Sequence, residues 1–164
     1  MFSYRTLTAE DAVDWLALRL EGARVAPSGF LVTEDEVVQM DQDRARQVLD
    51  FGGLRGVFEG ETLVGFCGYR PNRLQRILHR AELGPFYVTP DRQGLGAAQV
   101  MMQGVVAEAR AGGVAQIELT VAPGNARAIA FYEGQGFRKY GVRPDAIREG
   151  GVPEDELLYL LRVV

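Results

Sequence analysis

The run Leu83-Gly-Pro-Phe-Tyr-Val-Thr-Pro-Asp-Arg-Gln-Gly-Leu-Gly-Ala-Ala98 constrains this chain more than any other. It begins as an apolar strand, bends through a turn, and delivers a loop of small residues to the start of a helix. Glycines at 94 and 96 and alanines at 97 and 98 let a ligand approach the main chain itself. The unpaired N–H groups of a first helical turn and the helix dipole both favour negative charge. A phosphate-bearing ligand is therefore expected at this loop.

The rest of the chain reads as βαα-ββ-β-α-β-α-ββ, a mixed α/β layer with an antiparallel front and a strand-helix-strand unit in the middle. Residues 3–7 alternate as a strand. Thr8 and Asp11 form a capping box for a helix whose apolar face is Ala12, Val13, Leu16, Ala17 and Leu20. A second box, Thr33 with Glu36, opens a helical stripe of Val37, Met40, Val48 and Leu49 that closes at Gly52-Gly53. Residues 54–58 and 62–69 make a hairpin, in which Gly65 and Gly68 mark a bulge or a close neighbour. After strand 81–88, a helix buries Leu95, Ala98, Met102, Val105 and Ala109 and stops at Gly112-Gly113. A strand over 116–121, an Asn125-capped helix ending at Gly136, and strands near 137–143 and 156–163 complete the chain, which reads as a single domain over 1–164.

A chain of 164 residues can bury a full core, and its 47% apolar and 24% charged content is that of an ordered globular domain. Its net charge of −4 argues against a nucleic-acid partner. A single cysteine, Cys67, excludes an internal disulfide and does not make a metal site. Charges at Arg5, Glu10, Asp11 and Asp14 precede any apolar run, and no stretch reaches the length of a membrane span. A soluble, cytoplasmic protein with no membrane partner and no metal is expected.

A second motif follows the first. Ile117 to Phe137 contains a strand, a turn, an Asn-capped helix and a glycine stop. Asn125 and Tyr132 are seven residues apart, close to two helical turns, and share a face with Ala128 and Ile129. Together the two motifs resemble the GNAT superfamily of acetyl-CoA-dependent N-acetyltransferases, and the tail from Tyr140 to Gly151 with Asp155-Glu-Leu-Leu resembles a bacterial subgroup of mostly unassigned substrate. The pyrophosphate signature Gln/Arg-x-x-Gly-x-Gly/Ala is matched by Gln93-Gly94-Leu95-Gly96-Ala97-Ala98, after Val88-Thr89-Pro90. The later Asn-x-x-Ala, Phe-Tyr and Gly-Phe pattern is matched by Asn125, Ala128, Phe131, Tyr132, Gly136 and Phe137.

The resemblance implies a mostly antiparallel sheet of six or seven strands with about four helices, its strands splayed at the cofactor cleft. It implies acetyl-CoA as co-substrate and an amine-bearing acceptor, with a homodimer as a further option. The amides of Gln93, Gly94, Leu95, Gly96, Ala97 and Ala98 would hold the pyrophosphate. The main chain of Phe86, Tyr87 and Val88 would hold the pantetheine and the developing oxyanion, Pro85 having no N–H to give. Asn125, Ala128 and Phe131 would complete the cofactor site. Tyr132 matches the general acid for the thiolate, and Glu82 a base found in some members.

Each residue also has a plainer reading. Tyr132 fits a core aromatic, Glu82 an edge salt bridge, and Asn125 a cap. Glu118 faces solvent or substrate. The Arg70–Arg80 segment reads as a solvated hairpin or as a contact for the 3′-phosphate or an anionic substrate. Lone His79 is no metal site, and Cys67, between Phe66 and Gly68 in a strand, reads as buried and inert, which favours direct transfer. Gly94-x-Gly96 begins a dinucleotide fingerprint, but its third small position falls on Gln99; no Gly-Lys-Ser/Thr of a P-loop is present. The rival to an enzyme is a non-catalytic acyl-CoA-binding regulatory module. Acceptor choice is expected in residues 20–35 and 138–157, where Asp145, Glu149, Glu154, Asp155 and Glu156 are solvated or attract a basic acceptor.

Overall fold

Alternation in the first residues and a glycine turn at Gly60 build the front of the sheet. In the computed structural model, which describes residues 1–163, β1 (Phe2–Thr6) pairs antiparallel with β2 (Leu54–Glu59). β2 turns through Gly60, at φ 61°, into β3 (Thr62–Pro71). The expected irregularity is present as a register shift between Val57 and Phe58. Seven strands lie in the order β1-β2-β3-β4-β5-β7-β6, with β4 (Arg80–Val88), β5 (Gln116–Val121), β6 (Arg138–Glu149) and β7 (Val152–Arg162). The β4–β5 pair is parallel, whereas β1–β2, β2–β3, β5–β7 and β6–β7 are antiparallel.

The chain divides into two compact units. The first holds Met1–Arg70 and Pro85–Glu108; the second holds Pro71–Gly84 and the chain from Ala109 onward. In the first, α1 (Ala12–Val25) buries Ala12, Trp15, Leu18, Gly22 and Ala23. Apart from Ala12 this is not the expected face, and Val13 is 54% exposed. The helix is entered through a 3-10 turn, Ala9–Asp11, and Trp15, the bulkiest side chain available, turns inward against Phe66. The Thr8–Asp11 box is formed. Asp11 accepts from the Thr8 amide at 2.8 Å, while its own amide donates to the Thr8 carbonyl, and both carboxylate oxygens receive Arg5 at 2.8 Å.

The Thr33–Glu36 box is complete, but the stripe after it forms two helices, α2 (Glu34–Val38) and α3 (Gln42–Asp50). Asp41 starts the second by accepting from the Arg44 amide at 2.8 Å. A side chain that caps in this way offers the backbone an alternative to continuing a helix. These helices cover a core of Leu7, Trp15, Leu18, Leu49, Leu54, Phe58, Leu63, Phe66 and Tyr87, with Phe30, Met40 and Val48 packed at its margin. Burial of each large side chain there contributes about 1.5–3 kcal/mol.

α4 (Ala97–Ala111) buries Ala97, Met101, Met102, Val105 and Ala109, so the expected stripe holds from Met102 onward. Leu95 is 62% exposed because it lies in the loop before the helix. Glu108 takes both the Arg55 guanidinium, at 2.6 Å, and the Tyr4 hydroxyl, at 2.7 Å. Gly104 makes room for Tyr4: a Cβ there would lie 2.3 Å from the ring.

In the second unit, β5 pairs with β7 along its whole length, and β6 and β7 form a hairpin that turns at Gly150-Gly151. The hairpin is longer than the expected strands. It is extended by Arg143 on Glu156 at 3.2 Å and by the Asp145 amide donating to Asp155 at 3.0 Å, with Asp145 itself at φ 47°. α5 (Ala126–Gly134) precedes it.

Candidate active site

The loop from Val88 to Ala98 is built as an open cradle. β4 ends at Val88, and the Thr89 amide donates to the Val64 carbonyl at 2.9 Å. A 3-10 turn, Pro90–Arg92, follows, held by Arg92 on Glu59 at 2.6 Å. The Gln93 side chain then donates back to the Val88 carbonyl at 2.8 Å, fixing the loop to the strand. Gly94 and Gly96 stand at φ 76° and 100°, conformations that favour glycine, and nothing lies within 4 Å of where their Cβ atoms would be. Val100 is the first amide in the α4 ladder, donating to Gly96 at 3.0 Å. The amides of Ala97, Ala98 and Gln99 precede it, and no acidic residue stands in the first turn. Donors without acceptors, space above two glycines and no competing carboxylate suit a pyrophosphate.

The strand that leads into the cradle is set by close packing. A Cβ on Gly65 of β3 would lie 2.7 Å from the Tyr87 carbonyl oxygen, so only glycine allows this approach. The Tyr87 ring turns into the core, and its hydroxyl donates to Glu21 of α1 at 2.6 Å; the Thr89 hydroxyl donates to the same oxygen at 2.7 Å. That leaves Tyr87 its main chain alone to offer a ligand. Phe86 is half-buried and Val88 buried. Burial raises the Cys67 thiol to about 12, so it stays a thiol at neutral pH, in keeping with the expectation of an inert cysteine.

In the second unit, the parallel ladder of β4 and β5 covers Arg80, Ala81 and Glu82 against Gln116, Ile117 and Glu118, and ends there. Gly84 follows at φ 142°, and then Pro85. Glu82 is exposed. Glu118, whose role the sequence left open, is engaged by Arg80 at 2.6 Å. In α5, Asn125 accepts from the Ala128 amide at 3.3 Å, so it caps the helix as expected. Tyr132 is buried among Phe131 and Phe137, with both ring centroids 5.7 Å away. Ala128, Ile129 and Phe131 are half-buried on this helix. A surface depression lined by Glu133, Gly136, Phe137, Arg138 and Lys139 contains none of the residues expected to act.

Glu21 was not legible in the sequence as a partner of this strand. Its spacing from Tyr87 and Thr89 is tertiary, and nothing in α1 singles it out from the other acidic residue there, Asp14.

Among the described residues, no group of three or more His, Cys, Asp or Glu stands where it could hold a metal, and no helix is long and apolar enough to cross a membrane. Residues 14–137, which include both the cradle and α5, match the sequence pattern of the Acetyltransferase (GNAT) family. The chain belongs to the GNAT family. Membership supports acyl transfer as its chemistry. The same fold is found in a ribosomal-protein-alanine N-acetyltransferase from Brucella melitensis, 22% identical, with 98% of this chain and 99% of that one covered at a TM-score of 0.83. An N-acetyltransferase from Staphylococcus aureus Mu50 is 17% identical, with 100% and 99% covered at 0.85. A Salmonella typhimurium protein named as an acetyltransferase, whose structure holds its cofactor acetyl-CoA, is 16% identical, with 100% and 95% covered at 0.83. No curated protein matches this GNAT chain in sequence.

Proposed function

We propose that the protein moves an acetyl group from acetyl-CoA directly to a primary amine. The observation that carries this reading is the cradle: two glycines in left-handed conformations open the start of α4, where unpaired amides await an anion. Acetyl-CoA supplies a thioester whose acyl group an amine can take up. The amides from Gly94 to Ala98 bind its pyrophosphate; the Gln93 amide, also expected there, donates instead to the Pro90 carbonyl at 3.3 Å, and the Gln93 side chain keeps the loop in place through Val88. The main chain of Phe86 to Val88 binds the pantetheine and polarises the thioester carbonyl. Asn125, Ala128 and Phe131 of α5 complete the cofactor contacts.

Two protons have to move. The departing thiolate takes one from the Tyr132 hydroxyl; phenols in general titrate near about 10 and thiols near about 8.5. The attacking amine loses one to Glu82, directly or through water. Cys67 takes no part, since its thiol is buried and protonated.

A screen of mixed primary amines with acetyl-CoA, read as release of free CoA thiol, tests this reading. Turnover is expected, and Tyr132→Phe should lower it at least about tenfold with acetyl-CoA affinity nearly unchanged. Equal turnover would remove Tyr132 as the acid. Tight acetyl-CoA binding with no release for any amine would instead identify an acyl-CoA-binding regulatory module.

A further inference from the structure

Glu21, in the first unit, is a half-buried carboxylate to which the proposed chemistry gives no role. It projects from α1 to the end of β4, where its Oε1 accepts from Tyr87 at 2.6 Å and from Thr89 at 2.7 Å. Its Oε2 has no partner, and the group has no ion pair, among the described residues. The other carboxylates of this unit that are not exposed are matched by arginine: Asp11 by Arg5 at 2.8 Å, Glu59 by Arg92 at 2.6 Å and Glu108 by Arg55 at 2.6 Å. A half-buried carboxylate without a cation is costly, because hydroxyl donors orient it without neutralising it. Burial and the Glu21 carboxylate hold the Tyr87 phenol well above its usual range, so it donates without losing its proton.

The Phe30 ring crosses Gly22, the residue next to Glu21, so closely that a Cβ there would lie 2.4 Å from it. Phe30 also meets Tyr87 edge-on, with centroids 5.6 Å apart and planes at 63°. Carboxylate and aromatic ring together suit an organic ammonium, which gains a charge-assisted hydrogen bond on one side and a π face on the other. The site also lies where an acceptor is needed. Thr89, which holds Glu21, directly follows Val88 of the strand proposed to present the thioester.

We infer that Glu21 is the seat of the acceptor: its Oε2 receives the ammonium of a primary amine whose apolar or aromatic carbon skeleton lies against Phe30. This rests on the acetyl-transfer reading and narrows its substrate class to cationic amines carrying an apolar group beside the nitrogen.

The test is calorimetric and needs no turnover. 2-Phenylethylammonium is titrated into the full chain saturated with CoA, for the wild type and for Glu21→Gln. Glutamine keeps an oxygen for Tyr87 and Thr89 and removes only the charge. The wild type should bind, and Glu21→Gln should bind at least about tenfold more weakly, with acetyl-CoA affinity unchanged within about twofold. On the wild type alone, uncharged 2-phenylethanol should bind at least about tenfold more weakly than the ammonium, which keeps the test valid if the variant does not fold. Equal affinity in either comparison, or no binding of the ammonium to the wild type, overturns the seat while acetyl-CoA still binds. Failure of the wild type to bind acetyl-CoA overturns the transfer reading itself.

Discussion

One methyl group at Gly65 should be felt at the cofactor strand. A Cβ there would stand 2.7 Å from the Tyr87 carbonyl oxygen, 2.9 Å from Val57 Cγ1 and 3.0 Å from Val88 Cγ2. Carbon–oxygen contacts ordinarily settle at about 3.3 Å or more, so β4 must retreat from β3 by roughly 0.6 Å. The obstructing oxygen is backbone and has no side-chain rotation with which to yield. Overpacking of this kind costs about 1–3 kcal/mol. For a chain of this length each kcal/mol lowers the melting temperature by about 2–4 °C, giving a fall of roughly 2–12 °C for Gly65→Ala. The displacement also moves the main chain proposed to hold the pantetheine, so acetyl-CoA affinity should fall by about tenfold or more. Gly29→Ala, where nothing lies within 4 Å of the new Cβ, is the control. Thermal melts and calorimetry with acetyl-CoA read both effects. A Gly65→Ala protein melting within about 1 °C of the wild type with unaltered affinity would refute the reasoning, since β4 would then not depend on that close approach.

Gly96→Glu should abolish acetyl-CoA binding in calorimetry, because it strains a residue at φ 100° and puts a carboxylate into the cradle; normal affinity would sink the assignment of the loop. Glu108→Ala leaves the buried Arg55 guanidinium without its carboxylate and should cost about 3 kcal/mol, read as the midpoint of urea unfolding. The same pair has a pH signature. Arg55 holds the Glu108 carboxyl below its usual value, so the unfolded chain binds that proton more readily than the folded one. The contribution is complete above the unfolded pKa of about 4.3 and fades as pH falls through the folded value, so the stability difference between wild type and Glu108→Ala should shrink below about pH 4.5. A difference that stays constant down to pH 3 would show that the pair is not ionic.

The features that the sequence made legible are those written in a few adjacent residues. The glycine loop at 94–96, the Asn125 cap and the Thr33–Glu36 box are local, and each stands where its residues put it. Strand 116–121 was readable because its burial alternates. The α1 face was misread because Val13 and Leu16 count as apolar at helical spacing, whereas Trp15 wins the interior by size and contact with Phe66. The split into α2 and α3 turned on whether Asp41 stayed in solvent or capped, which spacing alone does not decide. At the site, the anion cradle was visible as a pattern. Glu21 was not, since only folding brings α1 to Tyr87 and Thr89.

The position of β7 has a consequence for how the chain is made. This strand is the last in sequence, yet it lies between β5 and β6 and pairs with both. During synthesis β5 and β6 emerge first, each with a bare edge that only β7 can fill, and pairing of β5 must wait for more than thirty residues of further chain. At about 5–20 residues per second that is an interval of seconds in which unpaired strand edges are open to other nascent chains. The residues of the first unit end at Glu108 and so are all made before β6 and β7. A stop codon before Val152 would therefore leave the second unit's strands lacking their shared partner, and such a truncated product should be cleared or aggregate.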